Sequence, residues 1–216
     1  MRQKKQRFGL TGGLETVKAL FPSETELEVL EWEYLTIWNR LADCRCVLLH
    51  TQIQQLSCPP QIAVSDLVTY VITGGTLLCP LDAVLSECTE LLQMLGVKPV
   101  FRAPFGRLRL AAAESYTGLE SGLTALWSET VLVCQTPFSV LEPVLYCKYG
   151  AAQFPALWVQ RWGKGRVVGS ILPLQEFLKA VSRLDVGLPE GWVIGLSEMI
   201  FRKDGSSAGK AGWGMC

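Results

Sequence analysis

Between residues 44 and 101, apolar runs of strand length alternate with amphipathic stretches of helix length, joined by short connections. No other feature constrains the fold so tightly, because strand–helix–strand units with short links close as right-handed parallel crossovers. Residues 44–50 form a nearly continuous apolar run, suited to a central strand covered on both faces. Pro59-Pro60 punctuates the following loop, and residues 64–72 read as an amphipathic helix with Leu67, Val68 and Val71 on one face. Gly74-Gly75 stops that helix and residues 76–79 make the next strand. Residues 83–95 form a second helix with Gly96 as its C-cap, and residues 97–101 return as a strand.

The same alternation reaches back to the start of the chain. Phe8-Gly9-Leu10 is a short strand closed by Thr11-Gly12-Gly13, and residues 14–21 read as a helix. Residues 27–32 alternate apolar and acidic side chains, the pattern of a half-buried edge strand, and residues 34–41 have helical spacing. Beyond residue 101 the pattern changes. Residues 107–113, 130–135, 143–149, 156–162 and 166–172 are strand-like and closely spaced, with turns at Gly150 and at Gly163-Lys164-Gly165. These strands predict antiparallel additions to the parallel sheet, or an extension of it. Residues 174–184 supply a closing helix and residues 192–201 a last strand. The expected fold is α/β: a flavodoxin-like, doubly wound, mostly parallel sheet with antiparallel strands added in the C-terminal half. One domain is expected over residues 8–202, between a basic tail, 1–7, and a flexible Gly/Ser/Lys-rich tail, 203–216.

Composition narrows the function. At 216 residues with 49% hydrophobic side chains, the chain buries roughly 70% of its unfolded surface and needs no metal or disulfide staple. Twenty basic residues balance twenty acidic ones, which argues against the many cation–phosphate contacts of nucleic-acid binding. The single histidine excludes sites built on several imidazoles. The eight cysteines form no C-x-x-C pair, and Cys46, Cys79, Cys134 and Cys147 sit within apolar runs. That usage fits a reducing, cytoplasmic setting. The basic start lacks the roughly 7–15-residue apolar core of a signal peptide, and no uninterrupted apolar run approaches the roughly 18 residues of a membrane span.

Two segments carry a family resemblance. The first runs from Asp66 through Thr73-Gly74-Gly75-Thr76 to Cys79; the second runs from Pro155 through Trp162-Gly163-Lys164-Gly165-Arg166 to Gly169. In this order, and with Leu48-Leu49-His50-Thr51 followed by Leu56-Ser57, they resemble the class I glutamine-amidotransferase-like superfamily, in particular its ThuA-like branch. The resemblance spans residues 44–180. It implies a nucleophilic cysteine on a glycine-flanked strand-to-helix elbow, with a histidine and a carboxylate late in the chain. The sequence departs from that pattern. Pro80 follows Cys79 and removes an N–H from the elbow, whose position falls nearer Leu81 or Asp82. Ile171-Leu172 stands where the histidine belongs, and no histidine follows His50.

One other constellation remains for nucleophilic chemistry. His50 and Cys79 close adjacent parallel strands at the carboxyl edge, where open α/β sheets build their sites, and Asp82 or Glu87 is placed to orient the imidazole. A buried Cys79 and a loop histidine satisfied by hydrogen bonds account for the same residues. For ligand or partner binding the candidates are the Thr11-Gly12-Gly13 turn and the cations Lys164 and Arg166 at the hairpin tip, where a solvated turn is the plainer account. Trp158, Gln160 and Trp162 share one strand face, as either core or a sugar- or protein-binding surface. Cys44, Cys46, His50 and Cys58 are spread too far along strand and loop for one tetrahedral metal, so no metal or cofactor is expected. The reading is therefore an amidotransferase-like domain without the triad, binding a small ligand or a partner protein. A cysteine hydrolase using Cys79 and His50, or a sugar-modifying ThuA-like enzyme, is the alternative. Self-association stays open at this level.

Overall fold

The computed structural model describes residues 7–11, 27–29, 41–49, 60–81, 89–103, 106–107, 109–121, 123, 126–127 and 130–184. Its main element is a sheet whose parallel half is built from β1 (Arg7–Thr11), β2 (Leu27–Val29), β3 (Cys44–Leu49), β4 (Thr76–Pro80) and β12 (Gly165–Ser170). Three antiparallel strands continue it: β11 (Ala152–Trp162), β10 (Leu141–Tyr149) and β7 (Arg109–Ala112). The order across the sheet is β2-β1-β3-β4-β12-β11-β10-β7. The α/β, flavodoxin-like architecture expected from the alternation is the one observed, with its antiparallel strands added after the parallel ones.

Burial explains the patterning. Every residue of β4 is buried, as a strand covered on both faces requires, and Val47, Leu48 and Leu49 of β3 are fully enclosed. Helix α1 (Pro60–Ile72) begins on a proline, whose missing N–H is no loss in a first turn, and buries Leu67, Tyr70 and Val71. Helix α2 (Thr89–Leu95) buries Leu91, Leu92, Met94 and Leu95 and ends at Gly96 with φ +68°. That left-handed cap costs a glycine nothing. Helix α3 (Leu174–Val181) closes the described chain with Phe177, Leu178 and Val181 in the core. None of the described helices is long and apolar enough to cross a membrane.

Two expectations are corrected. Residues 97–101 do form a strand, β5 (Val97–Ala103), but it does not continue the parallel sheet. It pairs antiparallel with β9 (Thr130–Gln135) in a separate ribbon. Pro99 lacks a ladder donor and residues 98–102 are exposed, which suits a peripheral strand rather than a central one. The stretch 107–113 is split between β6 (Gly106–Arg107), which pairs with β8 (Leu126–Trp127), and β7. Of the two alternatives the sequence left for residues 166–172, an extension of the parallel sheet is the one observed: β12 pairs parallel with β4. The expected helix at 14–21, the strand at 192–201 and the tail at 203–216 lie outside the described residues, as do all of the helix at 34–41 except Leu41 and all of the basic tail at 1–7 except Arg7, which opens β1.

Candidate functional site

The carboxyl edge of the parallel strands is where a doubly wound sheet gathers its chemistry. From β1 the chain steps to β2 on one side, and β3 then lies on the other side of β1 with β4 beyond it. The winding therefore reverses between β1 and β3. Their last residues, Thr11 and Leu49, are register partners at that reversal. Gly12 and Gly13 follow β1 in the sequence and His50 follows β3; their placement, like that of Asp82 and Glu87, lies outside the described residues. Sequence reasoning proposed Thr11 and His50 for two different sites. Strand order, which a single sequence does not display, puts the ends of both strands at one edge position.

Cys79 lies one strand further on, in β4, opposite Gly169 of β12 and with no exposed surface. The chain does not turn away after it. Pro80 pairs with Ser170, and the Leu81 N–H donates to the Ser170 carbonyl at 2.5 Å. Ser170 is itself fully buried; its Oγ donates to the Ala156 carbonyl at 2.8 Å and accepts from the Leu172 N–H at 2.9 Å. Ile171 and Leu172 are 3% and 2% exposed, so the positions where the resemblance expects a histidine carry packed aliphatic side chains. Cys147, on β10, is a buried thiol whose pKa is pushed up to about 12 by desolvation. Among the described residues no group of three His, Cys, Asp or Glu side chains is arranged to hold a metal ion.

Lys164 and Arg166 stand at the opposite end of the strands. There the two glycine motifs meet. The Lys164 N–H donates to the Ile72 carbonyl at 3.0 Å and the Arg166 N–H to the Gly75 carbonyl at 3.2 Å. The β11–β12 turn thereby satisfies the last carbonyl of α1 and that of Gly75 just beyond it. Gly74, at φ +123°, turns the helix end, and its N–H donates to the Val71 carbonyl at 3.0 Å. A Cβ on Gly165 would overlap the Val71 carbonyl oxygen, and one on Gly163 would lie 2.6 Å from the Ile72 oxygen. Tyr70 covers Gly75 and donates to the Thr76 carbonyl; burial, then the Cys46 and Cys44 thiols, raise its pKa. Lys164 is exposed and Arg166 half-buried. The glycines thus lock a helix to a hairpin at the amino edge, remote from Thr11 and Cys79.

The tryptophan face of β11 is largely interior. Trp158 is fully buried, and its Nε1 donates to the Leu95 carbonyl at the end of α2 at 3.1 Å. Gln160 is 7% exposed. Its Oε1, like Nε1 of Trp162, is buried with no hydrogen-bond partner among the described residues. Packing therefore occupies the centre of the surface that the sequence offered for a sugar or a partner.

No protein-family model matches this chain, and no curated protein matches it. Solved structures share its fold. A GH42 β-galactosidase of G. stearothermophilus superposes with a TM-score of 0.56 at 10% identity, covering 82% of this chain and 28% of the galactosidase. This chain thus spans little more than a quarter of that enzyme. The cytoplasmic protein STM1381 of Salmonella typhimurium LT2 gives 0.56 at 10% identity, over 91% of this chain and 98% of its own. A protein described as ThuA-like from Bacteroides uniformis gives 0.51 at 10% identity, over 86% and 95%. These likenesses establish the fold, and the ThuA-like architecture is among those that share it.

Proposed function

We propose that this chain is a non-catalytic amidotransferase-like module, on the ThuA-like branch, that binds a small molecule in the crevice between the carboxyl ends of β1 and β3. The observation that carries the reading is the Thr11–Leu49 register pair at the reversal of winding. Ligands of open α/β sheets enter at such a point, and the two glycines after Thr11 let a backbone approach a ligand closely. The absence of catalysis rests on Cys79. A nucleophile of this architecture stands exposed on a sharp elbow, whereas Cys79 is enclosed in a strand that keeps its pairing through Leu81. In this reading Lys164 and Arg166 serve the amino-edge lock, residues 8–202 form one unit, and the thiols of Cys44, Cys46, Cys79, Cys134 and Cys147 belong in a reducing compartment.

The test has two arms. A thermal-shift panel of sugars, sugar phosphates and nucleotides is run on the full chain and on Gly12→Val; a ligand that raises the melting temperature of the first and not the second supports the crevice. Turnover of glutamine, p-nitrophenyl acetate and p-nitrophenyl galactoside is measured in parallel. The galactoside is included because galactosidases share the fold. No turnover above buffer is expected. Hydrolysis lost in Cys79→Ala would establish the cysteine hydrolase of Cys79 and His50 instead, and galactoside turnover surviving that substitution would establish a sugar-modifying enzyme.

A further inference from the structure

Two apolar side chains stand almost wholly in water. Phe138 is 100% exposed and Val140 87%, whereas the next of the described large hydrophobics, Val100, reaches 49%. Both belong to the turn that joins β9 to β10, and that turn is held firmly. The Thr136 N–H donates to the Gly96 carbonyl at 2.9 Å, Ser139 Oγ donates to the same carbonyl at 2.7 Å, and the Ser139 N–H donates to the Thr136 carbonyl at 3.2 Å. Gln135 Nε2 donates to the Ser139 carbonyl, and Pro137 has its φ fixed by its own ring. A loose loop can fold a phenylalanine back against its protein; this mount presents it to solvent.

The turn lies at the amino edge. β11 runs antiparallel to β12 and β10 antiparallel to β11, so β10 begins where β12 begins. Ile72, the exposed last residue of α1, is at that edge too. Its Cγ2 lies 3.1 Å from where a Cβ on Gly163 would stand, and its carbonyl accepts from the Lys164 N–H. Cations share the edge. Lys164 at the hairpin tip and Lys98, opposite Cys134 at the start of β5, are exposed. Arg161 and Arg166 are register partners, so their side chains leave one face side by side. Like charges so placed repel, and an anion between them removes the repulsion. Two carboxylates, Asp43 and Glu142, also lie at this edge, and the second accepts from the Tyr116 hydroxyl.

We infer that the amino edge docks this protein on an anionic lipid surface, Phe138, Val140 and Ile72 entering the interface while Lys98, Arg161, Lys164 and Arg166 meet the headgroups. The three apolar side chains offer on the order of 400 Å², about half of the roughly 800 Å² that a stable protein interface takes from each partner. A lipid interface needs neither that area nor a matching shape. It takes apolar side chains singly and adds the attraction of anionic headgroups for each nearby cation. The surface is at the opposite end of the strands from the Thr11–Leu49 pair, so it stands independently of any ligand bound there.

Co-sedimentation of the full chain with vesicles of phosphatidylcholine and phosphatidylserine, and with vesicles of phosphatidylcholine alone, tests this. Wild type is expected to bind the anionic vesicles more tightly and to release them as salt rises. Phe138→Asp should weaken binding about tenfold or more, and Lys164→Glu should weaken it and flatten its salt dependence. Both side chains are exposed, so both variants should keep the wild-type melting temperature. The inference is overturned by a wild type that ignores anionic vesicles or binds both kinds alike, and by binding that neither variant weakens. It is equally overturned if vesicles are not bound and Phe138→Asp abolishes a self-association seen by sedimentation, because the edge then serves a second copy.

Discussion

The indole of Trp158 lies across Gly169, its register partner on β12, so closely that a Cβ on that glycine would sit 2.5 Å from Cζ2. The ring reaches past the glycine to donate to the Leu95 carbonyl at 3.1 Å, tying the end of α2 to the centre of the sheet. A glycine inside a buried strand is ordinarily a weakness; here it is the space the tryptophan occupies. Gly169→Ala should therefore cost about 2 kcal/mol by overpacking. In a Trp158→Leu background the same substitution should cost much less, because its obstacle is gone. Urea denaturation of the four proteins measures the coupling, and additive losses would contradict the packing described.

The amino-edge lock makes a second contrast. Gly150 and Gly165 both sit at the ends of strands, but only Gly165 is hemmed in by backbone. Gly150 has φ +60° with open space around it, so Gly150→Ala pays only for a left-handed conformation, about 1 kcal/mol. Gly165→Ala drives a methyl into the Val71 carbonyl and should cost about 3 kcal/mol or more. Thermal unfolding of the two variants ranks them, and equal losses would show that the α1 end and the hairpin are not held together.

These two cases mark what the sequence shows and what it hides. Gly74-Gly75, Gly163 and Gly165 are legible as turn chemistry, but nothing local says that one turn closes on the other across 88 residues, from Gly75 to Gly163. Strand positions were readable for residues 44–49 and 76–79 because burial on both faces forces continuous apolar runs. Partnership was not: the strand at 97–103 looks like any short apolar run, and its pairing with residues 130–135 is a tertiary choice. The candidate site divides in the same way. Thr11, His50 and Cys79 are legible as residues at or just after strand ends; Thr11 closes β1 and Cys79 lies one residue before the end of β4, while His50 lies outside the described residues. Lys164 and Arg166 are legible as cations at a hairpin tip, but that this tip lies at the amino end of the parallel strands, where Arg166 pairs with Thr76, is set by strand order. Gly169 carried a signal that could have been used, since glycine within a buried strand often marks a close approach.

The buried thiol of Cys147 makes stability depend on alkali. Burial raises its pKa from an ordinary 9.0 to about 12. An unfolded chain thus releases this proton from about pH 9, while the folded chain holds it to about pH 12. Its contribution is complete below pH 9 and is lost progressively as pH rises toward 12. The stability difference between wild type and Cys147→Ala should therefore shrink between about pH 8 and about pH 10.5, measured by urea denaturation at each pH. A difference that stays constant would contradict the burial of the ionisable thiol.

Tyr116 reports on a contact of the opposite kind, at the surface. Its hydroxyl donates to a Glu142 carboxylate oxygen, and that bond, with smaller contributions from partial burial and the carboxylate charge, raises its pKa from 10.0 to about 12 against the lowering effect of Arg161. Glu142→Gln removes the charge and should bring one tyrosine back toward 10 in a spectrophotometric titration. Tyr116→Phe should abolish the same transition. A titration unchanged by Glu142→Gln would place the tyrosine elsewhere.

The central claim is that Cys79 is a core residue and the sheet's carboxyl edge a binding crevice rather than a catalytic one. Native-state alkylation with iodoacetamide, followed site by site by mass spectrometry across pH, tests it most directly. An enclosed thiol reacts only when the fold opens, so Cys79 should stay unmodified under native conditions while the half-buried Cys134 labels, and it should label only in denaturant. Rapid native alkylation of Cys79, with a midpoint well below the ordinary thiol pKa of about 8.5, would contradict the account and return this residue to nucleophilic catalysis.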